Sequence, residues 1–181
     1  MIPLLKLFIV TLLFYFFAIM QNSFLPYFKV MESVPNFIFV LFFILIFFEN
    51  LPVRTNKNDR NEGLFFAILA GFFLDIISPF YFGMSIASLL VVYFFEKLVA
   101  YFLKEIQNKY LIFYFILIFS ACFVLYNILL YLLSIFLYMQ FNFNFLVFIA
   151  LAYNLIFASI GFYAYKNIYS QNGTDSQLKL L

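Results

Sequence analysis

Residues 110–139 read YLIFYFILIFSACFVLYNILLYLLSIFLYM. None of these residues is charged, and the apolar run is continuous instead of alternating with a period of two. A helix rises about 1.5 Å per residue, so the run exceeds the length needed to cross a hydrocarbon layer about 30 Å thick. Lipid offers the backbone no hydrogen-bond partner, so a transmembrane helix that tilts or protrudes is predicted.

The remainder of the chain has the same character. Hydrophobic residues make up 67% of the sequence and charged residues only 10%, which is too apolar for a soluble domain. The fold class predicted is all-α, a polytopic six-helix transmembrane bundle forming one membrane unit. Its spans are expected at about 4–20, 35–51, 63–77, 84–103, 110–139 and 145–165, followed by a polar tail at 166–181.

Two of these spans have a second interpretation. The first resembles a secretory signal, but no small-x-small cleavage pattern follows it and five more apolar runs do, which favours a span. The fourth either carries Glu96 and Lys97 to snorkelling depth and continues towards Leu103, or ends early. In the second case residues 96–109 form an interfacial helix.

The basic residues predict the orientation. Threading six spans puts nine of the ten on one side and leaves Lys29 on the other; the nine are Lys6, Arg54, Lys57, Arg60, Lys97, Lys104, Lys109, Lys166 and Lys179. Cytoplasmic loops are enriched in Lys and Arg, so both termini are expected in the cytoplasm. The basic loops are short and mixed with acids, which argues against a nucleic-acid partner.

Most catalytic chemistry is excluded by composition. The chain has no histidine, so Ser–His and Cys–His pairs and imidazole metal sites are impossible. Its only cysteine, Cys122, lies within the fifth span, where an inert buried thiol is expected. An intramembrane aspartyl protease needs two facing carboxylates, and Asp75 is the only acid well inside a span. No enzymatic activity and no cofactor are therefore expected, and the abundant Phe indicates an A/T-rich coding sequence instead of a ligand site.

A four-residue repeat on the third span is the most informative pattern. Gly63, Ala67, Gly71 and Asp75 fall on one helix face, where small residues allow a second helix to approach closely. Asp75 either caps the turn that follows at Ser78 or contacts a partner or ligand, because a carboxylate in a span is costly unless satisfied. Asn127 in the fifth span and Asn154 in the sixth are expected to hydrogen-bond between helices or to Asp75.

These positions carry a resemblance to a known family. Val34-Pro35-Asn36 opens the second span, Ala70-Gly71-Phe72-Phe73-Leu74-Asp75-Ile76-Ile77-Ser78-Pro79 closes the third, and Phe82-Gly83 precedes the fourth. In size, helix number and motif order the chain resembles the rod shape-determining protein MreD family. The specific part of the likeness covers roughly residues 34–90, and the last two spans carry no motif of the family.

The resemblance implies a non-enzymatic component of the bacterial inner membrane that acts in cell-wall elongation. Its implied partners are the single-pass protein MreC, the glycosyltransferase RodA, a penicillin-binding transpeptidase and the actin-like MreB filament. The family is also similar in fold to the substrate-binding subunits of energy-coupling-factor vitamin transporters, which supplies an alternative function. The absence of Trp and His and the short apolar outer loops argue against it. An unrelated structural membrane protein is a third interpretation.

Overall fold

The computed structural model describes residues 4–28, 33–50, 62–78, 81–103, 110–137 and 146–172. Within these ranges the chain forms six α-helices and no β-strand, which confirms the predicted all-α bundle. The helices are α1 (Leu4–Ile19), α2 (Phe37–Glu49), α3 (Glu62–Ile77), α4 (Met84–Phe102), α5 (Leu111–Phe136) and α6 (Leu146–Asn172).

Four helical stretches are long and apolar enough to cross a membrane: Leu5–Tyr27, Met84–Phe102, Leu111–Phe136 and Leu146–Asn167. Phe37–Glu49 is a shorter apolar helix. These lengths and compositions identify the chain as a helical membrane protein.

The ends of three helices can be compared with the predicted spans. After α1 the chain continues through a π-helical turn, Met20–Phe24, and a 3₁₀ turn, Leu25–Phe28, so the polar residues expected to end the first span remain helical. Helix α4 runs unbroken to Phe102, which favours the long form of the fourth span as far as that residue. Helix α6 extends beyond residue 165 to Asn172.

Helix α2 is the central helix of the bundle. It packs against α1, α3 and α6, and nine of its 13 residues are buried. Its sequence, FIFVLFFILIFFE, has no polar residue before Glu49. A helix that is apolar all round is suited to burial among other helices, and only one face of α2 is half-buried; its residues are Phe37, Leu41, Leu45 and Glu49.

Phenylalanine rings fill the space between α2 and α5. The pairs Phe39–Phe123, Phe43–Phe119 and Phe47–Phe115 have ring centroids 5.4, 5.1 and 5.0 Å apart and interplanar angles of 85°, 88° and 89°. We call these six residues the Phe ladder. Each edge-to-face pair contributes about 0.5–1.5 kcal/mol beyond its buried area.

Contacts between helix ends show that neighbouring helices run in opposite directions. Helices α2 and α4 begin where α1 and α3 finish, since the Ile38 amide donates to Gln21 Oε1 and the Gly83 amide donates to Asp75 Oδ2. We call this the Asp75 end of the bundle. Helices α5 and α6 extend from this end to the opposite end of the bundle.

The opposite end carries the other helix junctions, and we call it the Glu96 end. The Lys6 ammonium pairs with Glu62 at the start of α3, and the Asn50 side chain, just after α2, donates to Glu96 of α4. Lys97 and Lys166 also lie at this end. The other basic residues in the orientation argument, Lys29, Arg54, Lys57, Arg60, Lys104, Lys109 and Lys179, lie outside the described residues, as do Pro79, most of the polar loop after α2 and residues 173–181 of the polar tail.

Candidate functional site

The Asp75 carboxylate is buried against the first turn of α4. Its Oδ2 accepts from the Gly83 amide at 2.8 Å and from the Ile86 amide at 3.4 Å, and its Oδ1 accepts from the Ser85 amide at 2.8 Å. The first amides of a helix have no partner within the helix, and they attract negative charge. Asp75 therefore caps α4 from the neighbouring helix α3.

The local backbone explains why the cap comes from another helix. Gly83 precedes the first residue of α4 and has a φ of 101°, a left-handed conformation that favours glycine. Glycine has no side chain that could accept hydrogen bonds from the free amides of the first turn. Asp75 follows Leu74 on the buried face of α3, and its two carboxylate oxygens accept these hydrogen bonds instead.

The small residues of the repeat lie where α3 meets α4 and α2. A Cβ placed on Gly71 would lie 2.5 Å from Ile86 Cα and 2.7 Å from Ile86 N, so the α4 backbone occupies the space of a side chain. A Cβ on Gly63 would lie 2.5 Å from Tyr93 Cε2. Ala67 is fully buried between them. The repeat thus forms the close contact of the α3–α4 hairpin.

Asn154 performs a related task for α2. Its Oδ1 accepts from the Asn36 amide at 2.6 Å, and its Nδ2 donates to Ala150 O at 2.7 Å. Asn36 in turn caps its own helix, because its Oδ1 accepts from the Phe39 amide at 2.9 Å. Asn154 therefore joins α6 to the start of α2, and its described hydrogen bonds do not include Asp75.

A cavity of about 310 Å³ opens between these two capped helix starts. The apolar side chains that line it are Val34, Leu74, Ile77 and Leu130. The polar ones are Gln21, Asn22, Asn36, Ser78, Ser85 and Asn127, together with the phenol of Tyr126, which hydrogen-bonds the Ser85 side chain. Of the candidates for helix packing or partner contact, which are Gly63, Ala67, Gly71, Asp75, Gly83, Asn127 and Asn154, Asn127 alone is among the described lining residues. Its Nδ2 donates to Phe123 O of its own helix at 2.8 Å, and not to a neighbouring helix as expected.

The Glu96 end holds polar contacts that sequence reasoning missed. Glu96 is fully buried instead of snorkelling to the surface, and its Oε1 has no hydrogen-bond partner in the described part of the chain. Glu62 is 5% exposed and pairs with Lys6. Helical periodicity indicates that Glu96 is buried, because Glu96 shares a helix face with the buried residues Leu89, Val92 and Ala100.

The described residues offer limited chemistry. They contain no group of three His, Cys, Asp or Glu side chains arranged to hold a metal ion, and Cys122 is buried. What they do provide is a pair of capped helix starts, a tight helix hairpin and a polar cavity between them.

Comparison of this chain with protein-family models, with curated proteins and with solved structures finds no match.

Proposed function

We propose that this protein is a non-enzymatic inner-membrane component of the bacterial cell-wall elongation machinery, of the MreD type. Its direct partner would be an MreC-like single-pass protein. RodA and the penicillin-binding transpeptidase would associate through the same assembly, and the MreB filament would act with it from the cytoplasm.

The observation that carries the proposal is the Asp75 cap on α4. The motif residues behind the resemblance are separated in the sequence, yet Asp75 bonds Gly83 directly, and Gly71 lies against the same first turn of α4. Asn36, from the motif that opens α2, lines the adjoining cavity. A hairpin brings the end of α3 to the start of α4 in any case, so the support lies in the chemistry: the motif glycine makes the close backbone approach and the motif aspartate makes the cap.

The lipid-facing surface offers apolar area on which a membrane partner would pack. Helix α1 has exposed apolar side chains along its length, among them Leu5, Phe8, Leu12 and Phe16. Packing and interhelical hydrogen bonds, instead of hydrophobic attraction, would supply the association energy.

Copurification tests the proposal. The tagged chain would be co-expressed with the MreC protein encoded in the same genome and extracted in mild detergent, with another single-pass protein of that membrane as the control. We expect MreC to copurify and the control protein to be lost. Failure to recover MreC from well-folded protein would refute the partner assignment.

The proposed topology has six crossings with both termini in the cytoplasm, so that the Asp75 end faces outward. Helices α2 and α3 have 13 and 16 residues and are therefore about 20 and 24 Å long, shorter than the hydrocarbon layer. The short length of α2 is compatible with a crossing because other helices enclose most of its surface, which reduces the need to match the lipid thickness. A reporter fused after Asn172 that is active only outside the cytoplasm would contradict this topology, as would labelling of a cysteine placed at Asn56 from the outer side.

The cavity at the Asp75 end favours a second candidate, the substrate-binding subunit of an energy-coupling-factor transporter. Such a subunit would place polar side chains around an outward-facing pocket, and the seven polar lining residues fit that requirement. Saturable uptake of a vitamin by cells that express the chain with a transporter energising module, combined with no recovery of MreC, would establish this alternative over the first.

A further inference from the structure

The cavity at the Asp75 end keeps hydrogen-bonding groups that its own walls do not use. Asn127 donates through Nδ2, and Asn36 accepts through Oδ1. The described contacts leave Asn127 Oδ1 as an acceptor and Asn36 Nδ2 as a donor. Gln21 accepts through Oε1, which leaves its Nε2 as a second donor. A molecule in the cavity would therefore meet donors and an acceptor within one space.

The opposite part of the cavity is apolar. Val34, Leu74, Ile77 and Leu130 line it. Its volume of about 310 Å³ corresponds to roughly ten water molecules at their liquid volume. A single sugar ring or a single heterocycle has a comparable size.

The electrostatics of the cavity favour a neutral occupant. None of the described lining side chains is charged. Two helix starts adjoin the cavity and would ordinarily attract an anion, but Asp75 already occupies the amides of α4, and Asn154 and Asn36 engage those of α2. An anion would find no free helix start, and a cation would find no carboxylate in the wall, so either charge would lose hydration without a partner.

We infer that this cavity binds an uncharged polar molecule that carries both hydrogen-bond donors and acceptors beside an apolar face. The inference goes beyond the elongation role and does not require it. It also names the ligand class that the alternative transporter function would need, and its test uses neither transport nor MreC, so each idea can fail separately.

Two neutral compounds, each paired with a charged relative, test the inference. The pairs are N-acetylglucosamine with glucosamine, which is a cation, and uracil with orotate, which is an anion. Binding would be measured by saturation-transfer NMR on the full chain in lipid nanodiscs, with probes at millimolar concentration. We expect at least one neutral probe to bind. Its charged relative should bind with an affinity at least about tenfold lower, because a charge entering this cavity loses its hydration.

Variants of adjacent residues locate the binding. Asn127→Phe fills the cavity and should abolish the signal, whereas Ile128→Phe, at an exposed neighbouring position, should retain it. Asn127→Leu keeps the branched shape of the side chain but removes the acceptor, so it should weaken binding about threefold to tenfold. It is the test variant if the Phe variant misfolds. Absence of binding by both neutral probes, equal binding by the charged relatives, or an affinity that neither Asn127 variant lowers would overturn the inference.

Discussion

Replacing Asp75 should destabilise the bundle in a graded way that depends on which oxygen atoms remain. Asp75→Leu removes both acceptors from the first turn of α4, whereas Asp75→Asn retains one. Ile76→Leu is the matched control, because Ile76 is the next residue on α3 and is exposed.

The magnitude follows from the three hydrogen bonds. Two have full strength at 2.8 Å and the third, at 3.4 Å, contributes little. A buried donor left unsatisfied costs about 1–3 kcal/mol, so losing two costs about 2–6 kcal/mol. Ser85 lines the cavity, and water entering there relieves part of the penalty. We therefore expect Asp75→Leu to lower the free energy of unfolding by about 2–3 kcal/mol.

The Asn variant should cost less. Its single oxygen accepts from one side of the turn, but the bond loses its charge assistance, which roughly halves its strength. Loss of a negative charge at a helix start costs about 0.3–1 kcal/mol more. We expect a total near 1–2 kcal/mol for Asp75→Asn and less than about 0.5 kcal/mol for Ile76→Leu.

Two measurements check this order. Membrane abundance would be determined for each variant at equal expression, and unfolding would be followed by circular dichroism as the denaturing detergent fraction is raised in mixed micelles. If Asp75→Leu unfolds at the same detergent fraction as the unmodified chain and reaches the same abundance, the cap has been given the wrong role. Normal abundance of Asp75→Asn together with loss of MreC from the purified complex would instead assign the carboxylate to a partner contact.

Further variants probe three other contacts. Gly71→Ala places a methyl group on the α4 backbone and should lower the midpoint of detergent unfolding strongly, whereas Gly161→Ala meets only the movable end of Ile44 and should lower it less; equal effects would contradict the close α3–α4 contact. Asn154→Leu removes the acceptor for the start of α2 and should cost about 1–3 kcal/mol, with an unchanged unfolding midpoint as the opposing result. Lys6→Met should destabilise the chain more than the double change Lys6→Met with Glu62→Leu, since the single change leaves Glu62 buried without its ion pair; a double variant less stable than Lys6→Met would contradict that reasoning.

Much of the fold was predictable because lipid imposes simple rules. Long apolar runs must be helical in a membrane, so the number of helices followed from the sequence. The start of α4 at Met84 was also predictable, because a glycine at the end of a turn favours a left-handed backbone that residues within a helix do not adopt. The extension after α1 was not, because Gln21, Asn22 and Ser23 suggest a loop, and the bond from the Ile38 amide to the Gln21 side chain joins separate segments that no local pattern connects.

The candidate site was predictable only in part. The spacing of Gly71 and Asp75 placed a small residue and a carboxylate on one face. A cap was expected at the turn of Ser78 and Pro79, whereas Asp75 accepts from the amides at the start of α4. The partner of Asn154 could not be predicted from the sequence, because its contact with Asn36 joins residues 118 positions apart. The cavity could not be predicted either, because its walls come from separate helices and no single segment contains all the lining residues.

The directional bonds at the helix starts have a function that the apolar core cannot supply. In the Phe ladder, identical rings recur every four residues on both α2 and α5, so a slip of one helix by one turn, about 5.4 Å, brings phenylalanine against phenylalanine again. A hydrogen bond is lost long before such a displacement is complete. The bond from the Asn36 amide to Asn154 holds α2 along its axis against α6, and the Asp75 cap does the same for α4 against α3. Because both restraints lie at the cavity, the polar residues that give the bundle its register also determine the shape of the space between the helices.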